Sequence, residues 1–114
     1  MDGIVFFGSR EHDAVVSFYR ELGATVWREQ PDCTILSAGD FRFGFCARDR
    51  ADTEGIVTFV FPDREGVDDA YRRVGNLDPD APETAPAYSE TYEIYQAFAT
   101  DPEGRTVEFQ TFEA

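Results

Sequence analysis

The chain has 114 residues, which is enough for one domain with a single hydrophobic core and too few for two. It carries 23 Asp and Glu residues against 10 Lys and Arg, for a net charge of −13, and every basic residue is an arginine. Hydrophobic residues make up 42% of the chain and aromatic residues 15%, which excludes intrinsic disorder. The acidic charge, without any basic stripe, excludes nucleic acid and anionic membranes as expected partners.

The complete lack of lysine distinguishes two explanations of the acidic charge. One is a cationic ligand, and the other is a surface adapted to concentrated salt, where screening removes the self-repulsion of the fold. A cation-binding cleft gives no reason to remove lysine from every face, so the composition favours a halophilic source. No charged and then apolar leader opens the chain, and the longest apolar run, Ile56–Phe61, is too short to span a bilayer, so we expect a cytoplasmic protein.

The first half of the chain reads as a strand, a helix and three more strands. The apolar run from Ile4 to Phe7 predicts a buried strand that ends at Gly8. Ser9 is a good N-cap for a helix whose apolar residues recur at helical spacing and which Gly23 ends. Three further strands are predicted over residues 24–28, 33–38 and 41–47, with a two-residue turn at Gly39-Asp40 joining the last two.

The same order begins again after a polar connector over residues 48–54. A shift of 52 residues places Ile4 on Ile56, Tyr19 on Tyr71 and Gly23 on Gly75, in one register. We therefore predict two modules of similar design, about residues 1–49 and 55–114, whose sheets pair side by side within the single domain 1–114. The elements predicted for the second module are a strand at 55–61, a helix capped by Asp63 and ended by Gly75, a loop at 76–86, a strand at 92–99, a turn at 101–104 and a strand at 105–112.

Three segments resemble one known group of proteins. They are Ser17–Gly23 at the end of the first helix, Val67–Tyr71 in the second helix, and Asp101–Phe109 in the closing hairpin. The chain resembles the vicinal oxygen chelate superfamily, which holds glyoxalase I, extradiol dioxygenases, fosfomycin-modifying enzymes and bleomycin-resistance proteins. The resemblance implies an α+β fold in which two βαβββ modules form a curled, mixed β-sheet cup, and it implies a homodimer.

The resemblance also implies a metal site, which this sequence does not match. Enzymes of the superfamily bind a divalent metal through one side chain each from the first and last strands of both modules. In this sequence those positions hold isoleucine in both first strands, arginine or glycine in the last strand of the first module, and Glu108 in the last strand of the second. Isoleucine has no donor atom and an arginine repels a cation, so only Glu108 matches a ligand. We therefore expect no cofactor and a protein without enzyme activity; the alternative is a divalent metal held by non-standard ligands. The ligand positions fall on Ile4, Ile56, Arg42 or Gly44, and Glu108.

Strand alternation predicts which side chains line the cup. The two-residue turn places Phe41, Phe43 and Phe45 with Leu36 on the face buried under the helices, so the opposite face is open. His12, the single histidine, is expected to face solvent at the start of its helix instead of completing a site. The candidate ligand-binding residues are Ile4, Phe6, Cys33, Ile35, Arg42, Cys46, Ile56, Thr58, Thr106, Glu108, Gln110 and Phe112.

Several of these residues allow more than one role. Glu108 is predicted to bind a cationic ligand group or to pair with Arg42, and a general-base role has the least support. Cys33 and Cys46 lie directly opposite each other, within disulfide reach, but a reducing cytoplasm favours two buried thiols. Four aromatic residues have two candidate roles. One is to stack on a planar ligand, and the other, which is favoured, is to pack in the core or in a dimer interface. The four are Trp27, Tyr88, Tyr92 and Tyr95.

The sequence therefore favours a metal-free protein that binds a small, partly apolar molecule in the cup. One alternative is a metal-dependent enzyme of the lyase, dioxygenase or thiol-transferase kind. The other is a structural or regulatory homodimer whose cup is filled by its own side chains.

Overall fold

The computed structural model describes residues 1–113, and it divides the chain into two compact units. The first unit is Met1–Glu54, and the second begins at Gly55. Each unit runs strand, helix, strand, strand, strand, so the predicted α+β fold of two βαβββ modules is confirmed. Neither helix within residues 1–113 is long and apolar enough to cross a membrane.

Each module forms its own four-stranded mixed sheet. In both, the helix connects the first strand to the second, and the two remaining strands follow by antiparallel turns. The last strand therefore runs parallel to the first, beside which it lies. The first sheet has the order β1-β4-β3-β2 and the second the order β5-β8-β7-β6. The elements are β1 (Val5–Ser9), α1 (His12–Glu21), β2 (Thr25–Glu29), β3 (Cys33–Ala38), β4 (Phe41–Ala47), β5 (Ile56–Val60), α2 (Arg64–Leu77), β6 (Pro82–Ser89), β7 (Ile94–Thr100) and β8 (Thr106–Phe112).

The core of the first module lies between α1 and the phenylalanine face of β4. The β3–β4 register follows the two-residue turn as predicted, with Leu36 opposite Phe43. Tyr19 of α1 packs its ring 5.3 Å from the ring of Phe43 and 5.2 Å from that of Phe45. The side chains of Leu36, Phe43, Phe45 and Tyr19 are all fully buried. Because α1 packs on this face, the other face of the sheet is free of the helix.

The start of α1 differs from the prediction at two residues. Gly8 does not end the first strand and Ser9 is not an N-cap, because β1 continues through both. The Gly8 N–H donates to the Asp52 carboxylate at 2.6 Å, and a Cβ at Gly8 would lie 2.9 Å from the same carboxylate oxygen. A side chain at Gly8 would therefore have to displace the Asp52 carboxylate. Glu11 caps the helix without a side-chain hydrogen bond, and Gly23, at a φ of 118°, follows the end of the helix as predicted.

The second helix begins as predicted and ends later. Asp63 is its N-cap and accepts a hydrogen bond from the Gly66 N–H at 3.0 Å. The prediction that Gly75 ends the helix is wrong, because α2 continues to Leu77 and leaves through an extended Asp78. A Cβ at Gly75 would lie only 3.5 Å from the Pro82 ring, so this glycine faces the start of β6 at short range.

The predicted loop over residues 76–86 is also wrong in its second half. Strand β6 begins at Pro82 and contains Pro86, although proline cannot donate to a sheet. The strand tolerates both residues because it is the last strand of its sheet and its pairing with β7 shifts register twice.

The turn between β7 and β8 is held by a buried ion pair. Arg105 is fully buried, and its guanidinium donates to Asp101 at 2.8 Å and to Glu103 at 3.1 Å. The other Asp101 oxygen accepts the backbone N–H groups of Glu103 and Arg105. Gly104 closes the turn on the Asp101 carbonyl at 2.9 Å. Of the three segments that carry the resemblance, the start of Asp101–Phe109 is therefore explained by hydrogen bonds and ion pairs within this turn.

Candidate functional site

The open face of the second sheet holds a hollow of about 460 Å³, which we call the Glu108 hollow. Tyr95 of β7 turns towards α2, where its hydroxyl donates to Asp68 at 2.7 Å. Side chains alternate along a strand, so the neighbours of Tyr95 in β7 face away from the helix. The hollow is lined by Ile56, Tyr92, Ile94, Gln96, Phe98, Glu108, Gln110 and Phe112.

Strand register brings these side chains together. Glu108 lies opposite Thr58 in β5 and opposite Phe98 in β7. Two residues further along β8, Gln110 lies opposite Gln96. Directly paired residues share a face of the sheet, so the carboxylate lies between an apolar ring and a row of amide groups.

Glu108 is the buried charge of this hollow. It is 9% exposed, and its Oε1 accepts a hydrogen bond from the Thr58 hydroxyl at 2.8 Å. Within residues 55–113, no arginine pairs with it. A carboxylate has about four acceptor positions, so one hydroxyl leaves capacity that a ligand in the hollow can use.

The structure places the predicted site residues of the second module on this same face. Ile56, Glu108, Gln110 and Phe112 line the hollow, and Thr58 donates to the carboxylate. Thr106 lies opposite Ile56 at the far end of the row. Their role in ligand binding stays a prediction.

The predicted site residues of the first module lie on the helix-free face of its own sheet, except Ile4, which precedes β1. The Phe6 ring covers Gly44 so closely that a Cβ there would lie 2.6 Å from the ring. Ile35, opposite Gly44, is 2% exposed. Arg42 contacts the Trp27 ring. Arg42 and Glu108 belong to different units, so their predicted ion pair stays a prediction.

The cysteines differ from the expectation of two buried thiols. Cys33 and Cys46 pair directly across β3 and β4, as predicted, and the structure joins them in a disulfide. Their Cα atoms are 4.0 Å apart. Opposed positions in adjacent antiparallel strands bring the two side chains together, so the strand register itself creates the pair.

His12 does not face solvent, contrary to the prediction. Its side chain is 22% exposed, with Nδ1 3.0 Å from the Asp13 carboxylate and Nε2 3.0 Å from the hydroxyl of Thr34. That hydroxyl donates in turn to Glu29 at 3.3 Å. The histidine therefore ties the first turn of α1 to β2 and β3, on the helix side of the sheet.

Three residues of the hollow were missed by the sequence analysis, namely Ile94, Gln96 and Phe98, whereas Tyr92 was among the residues considered for stacking on a planar ligand. The turn at residues 101–104 carries the missing signal, because it pairs Thr100 with Thr106 and so fixes which β7 residues lie opposite Glu108 and Gln110. Of the other aromatic candidates, Tyr95 and Tyr88 lie near Arg64, 4.4 Å and 5.8 Å from its guanidinium. The hydrogen bond to Asp68 raises the pKa of Tyr95, which fits a structural role.

No protein-family model matches the chain, and no curated protein matches it either. Solved structures do match. A glyoxalase/bleomycin resistance protein/dioxygenase family enzyme from Burkholderia phytofirmans PsJN superposes with a TM-score of 0.83 at 20% identity, over 97% of this chain and 98% of that one. The chain has the glyoxalase/bleomycin resistance/dioxygenase fold.

Two further structures with this fold cover nearly the whole chain. A lactoylglutathione lyase from Agrobacterium tumefaciens matches with a TM-score of 0.73 at 20% identity, over 97% of this chain and 91% of that one. A bleomycin resistance determinant encoded on the transposon Tn5 matches with a TM-score of 0.72 at 20% identity, over 100% and 99%. The same fold therefore carries an enzyme and a resistance protein, and the site must decide between such functions.

The donor set in this chain does not fit the metal that the resemblance implies. Ile4 and Ile56 offer no lone pair, Gly44 has no side chain, and Arg42 is a cation. In the β5 register Thr58, not Ile56, lies opposite Glu108, and it acts there as a hydrogen-bond donor. Among residues 1–113, no group of three or more His, Cys, Asp or Glu side chains is placed to hold a metal ion.

Proposed function

We propose that the protein binds a small, partly apolar molecule with a positively charged group in the Glu108 hollow, without a metal ion. The observation that carries this proposal is the Glu108 carboxylate, which is nine-tenths buried at this hollow and has no arginine partner within residues 55–113. A buried charge is costly unless it is paired, so an entering cation both gains an ion pair and relieves that cost.

The rim of the hollow suits the apolar part of such a molecule. Ile56 is 57% exposed, Tyr92 71% and Phe112 64%, so apolar surface remains in water around the buried carboxylate. Covering it with a ligand returns about 25 cal/mol per Å². Aromatic rings also attract cations through their faces. The fold is shared with a bleomycin resistance determinant, which supports a binding role without specifying the ligand.

Replacing Glu108 with glutamine is expected to weaken binding of benzylammonium by about tenfold or more, because the charge-assisted hydrogen bond is lost. Isothermal titration calorimetry measures the affinity of each variant for benzylammonium, and benzyl alcohol serves as the uncharged comparison ligand. Glu83→Gln is the matched control, since Glu83 is exposed in β6 and its loss changes the net charge equally. Equal affinity of benzylammonium for the parent protein and Glu108→Gln would contradict the proposal.

The metal-free part of the proposal is tested in the same titrations. Benzylammonium affinity is expected to stay unchanged when a chelator is present and when Zn²⁺ or Mn²⁺ is added. Metal analysis of protein purified without chelator adds a direct readout. A stoichiometric metal, or binding that requires one, would favour the metal-dependent enzyme instead.

We also propose that the protein is adapted to concentrated salt, on the basis of its charge of −13 and its lack of lysine. Screening over about 3 Å at molar ionic strength weakens repulsion between like charges, so the melting temperature is expected to rise from dilute buffer to molar KCl. A neutral osmolyte at equal osmolality controls for solute exclusion. An unchanged or lower melting temperature in KCl would count against salt adaptation. The homodimer and the cytoplasmic location stay predictions.

A further inference from the structure

His12, in the first turn of α1, connects two carboxylates through a buried hydroxyl. Its Nδ1 is 3.0 Å from the Asp13 carboxylate, and its Nε2 is 3.0 Å from the hydroxyl of Thr34. That hydroxyl donates to Glu29 of β2 at 3.3 Å, and Thr34 is only 3% exposed. The four side chains therefore form one chain of hydrogen bonds that runs from α1 across β3 to β2. We call it the His12 chain.

The His12 chain crosses one end of a groove of about 770 Å³ between α1 and β2. All four of its residues line this groove. Strand β2 is the last strand of the first sheet, and a bulge at Trp27 separates Arg28 and Glu29 from the rest of its pairing with β3. The end of β2 thus has a short ladder of its own, and the His12 chain is what joins it to the helix.

The number of protons in the His12 chain determines the charge of the imidazole. An ionised carboxylate can only accept, so Asp13 and Glu29 supply no proton. The Thr34 hydroxyl gives its one proton to Glu29, so its oxygen must accept from Nε2. The Nδ1 that faces Asp13 must then donate as well. Both ring nitrogens carry a proton only in the imidazolium, so every link is made when His12 is positively charged.

A neutral His12 has one proton too few for these links. The proton on Nδ1 is the one retained, because it faces the charged Asp13, whereas Nε2 faces a neutral hydroxyl. The bare Nε2 then accepts the Thr34 proton, and Glu29 loses its donor. Loss of a single proton therefore breaks the link to β2 and leaves the rest of the chain in place.

The charged groups around His12 are mostly negative. They are Glu11, Asp13, Arg20 and Glu21 on α1 and Glu29 on β2, while β3 presents the neutral Thr34. Arg20 lies two helical turns from His12, about 12 Å along the helix axis. The positive end of the helix dipole opposes a charge on His12, but the Asp13 carboxylate is in direct contact with the ring.

We propose that His12 is a pH-sensitive clamp between α1 and the end of β2. At low pH the imidazolium completes the chain and holds Glu29 through Thr34. As the pH rises and His12 loses its proton, the Thr34 hydroxyl turns to the imidazole and releases Glu29. The contribution of the clamp to stability is therefore present at low pH and lost at high pH. The clamp is independent of the Glu108 hollow and of any ligand.

The single histidine makes the proton positions observable, because every imidazole signal comes from His12. NMR of the nitrogen-labelled ring distinguishes a protonated ring nitrogen from a bare one. Between about pH 5 and about pH 8, where histidine changes charge, we expect two protonated nitrogens to give way to a proton on Nδ1 alone. A neutral form with its proton on Nε2 would contradict the clamp, because Thr34 would still donate to Glu29.

Urea unfolding of the parent protein and His12→Gln at the same two pH values measures the clamp itself. The ratio of their unfolding equilibrium constants, variant over parent, is expected to fall by about threefold or more from about pH 5 to about pH 8. A histidine that only fills space or makes fixed hydrogen bonds would give the same ratio at both pH values. That result would overturn the proposal.

Two further variants locate the effect in the His12 chain. Glu29→Gln removes the carboxylate at its end and Thr34→Val removes the connecting hydroxyl, and both are expected to give the same pH-dependent ratio as His12→Gln. Glu21→Gln is the matched control, because Glu21 is exposed in the same groove and its loss changes the net charge equally. If His12→Gln or Thr34→Val does not fold, Glu29→Gln decides the matter, since Glu29 is exposed. An equal effect in Glu21→Gln, or none in Glu29→Gln, would refute the clamp.

Discussion

Replacing Asp101 with alanine is expected to lower the free energy of unfolding by about 3–5 kcal/mol. Arg105 and Asp101 form an ion pair in which both side chains are fully buried, so the variant removes the carboxylate 2.8 Å from a guanidinium in the core. The loss also removes the acceptor of two backbone N–H groups in the β7–β8 turn. Urea unfolding at fixed salt concentration measures the effect.

An exposed pair in the same chain provides the matched control. Asp69 and Arg72 form an ion pair on α2 with side chains that are 49% and 65% exposed. Asp69→Ala is therefore expected to cost less than about 0.5 kcal/mol, because water replaces the lost carboxylate. A double-mutant cycle of Asp101→Ala with Arg105→Met is expected to show a favourable coupling energy between the two buried side chains. A loss at Asp101 no larger than that at Asp69 would contradict the structural role of the buried pair.

Loss of the disulfide is the second large effect. The bond between Cys33 and Cys46 closes a loop with a sequence separation of 13. In the chain-entropy account, a cross-link over a loop of this length stabilises the fold by about 3 kcal/mol by restricting the unfolded chain. The variant Cys33→Ala with Cys46→Ala is therefore expected to unfold at a lower urea concentration than the oxidised parent protein.

The parent protein with and without a dithiol reductant gives the matching comparison. Reduction is expected to lower the stability of the parent to about that of the double variant, and to leave the double variant itself unchanged. Thiol labelling of unfolded protein is expected to find no reactive cysteine before reduction and both after it. Rapid labelling of both cysteines in unreduced protein would show that the thiols are free, as the sequence alone suggested.

The sequence predicts those parts of the fold that depend on short-range geometry. The two-residue turn at Gly39-Asp40 determines the β3–β4 register, and with it the side of the sheet on which Phe43 lies. The Asp63 cap and the repeat of 52 residues place the start of α2, because the first residue of each helix, His12 and Arg64, is separated by that shift. Turn chemistry and capping act over a few residues and are visible in one sequence, but the same local signals are wrong at Ser9, which lies in β1, and at Gly75, which lies within α2.

The features that the sequence does not predict depend on distant partners. Gly8 resembles a strand terminator, but it lies within β1 and its N–H donates to the Asp52 carboxylate. His12 resembles a solvent-facing residue of a helix start, but it reaches Thr34 of β3. The bulge at Trp27 has no local signal, because it exists only in the pairing of β2 with β3. Each of these contacts forms only after the sheet has assembled.

The same limit applies to the candidate site. Strand alternation places Glu108, Gln110 and Phe112 on one face without knowledge of the fold. It does not show that Glu108 is nine-tenths buried, nor that Thr58 is its hydrogen-bond donor, because both follow from neighbouring strands. Chemistry at a strand position can be predicted from the sequence, whereas the surroundings that tune it cannot.

The prolines of β6 bear on how copies of this protein avoid aggregation. In the concentrated salt that we propose as its surroundings, charge no longer keeps molecules apart, so an unpaired strand edge would recruit another chain. Pro82 and Pro86 remove two donors from the outermost strand of the second sheet, and its shifted pairing bends the backbone locally. Strand β6 is therefore a poor template for β-pairing between molecules, and this protection does not weaken as salt rises.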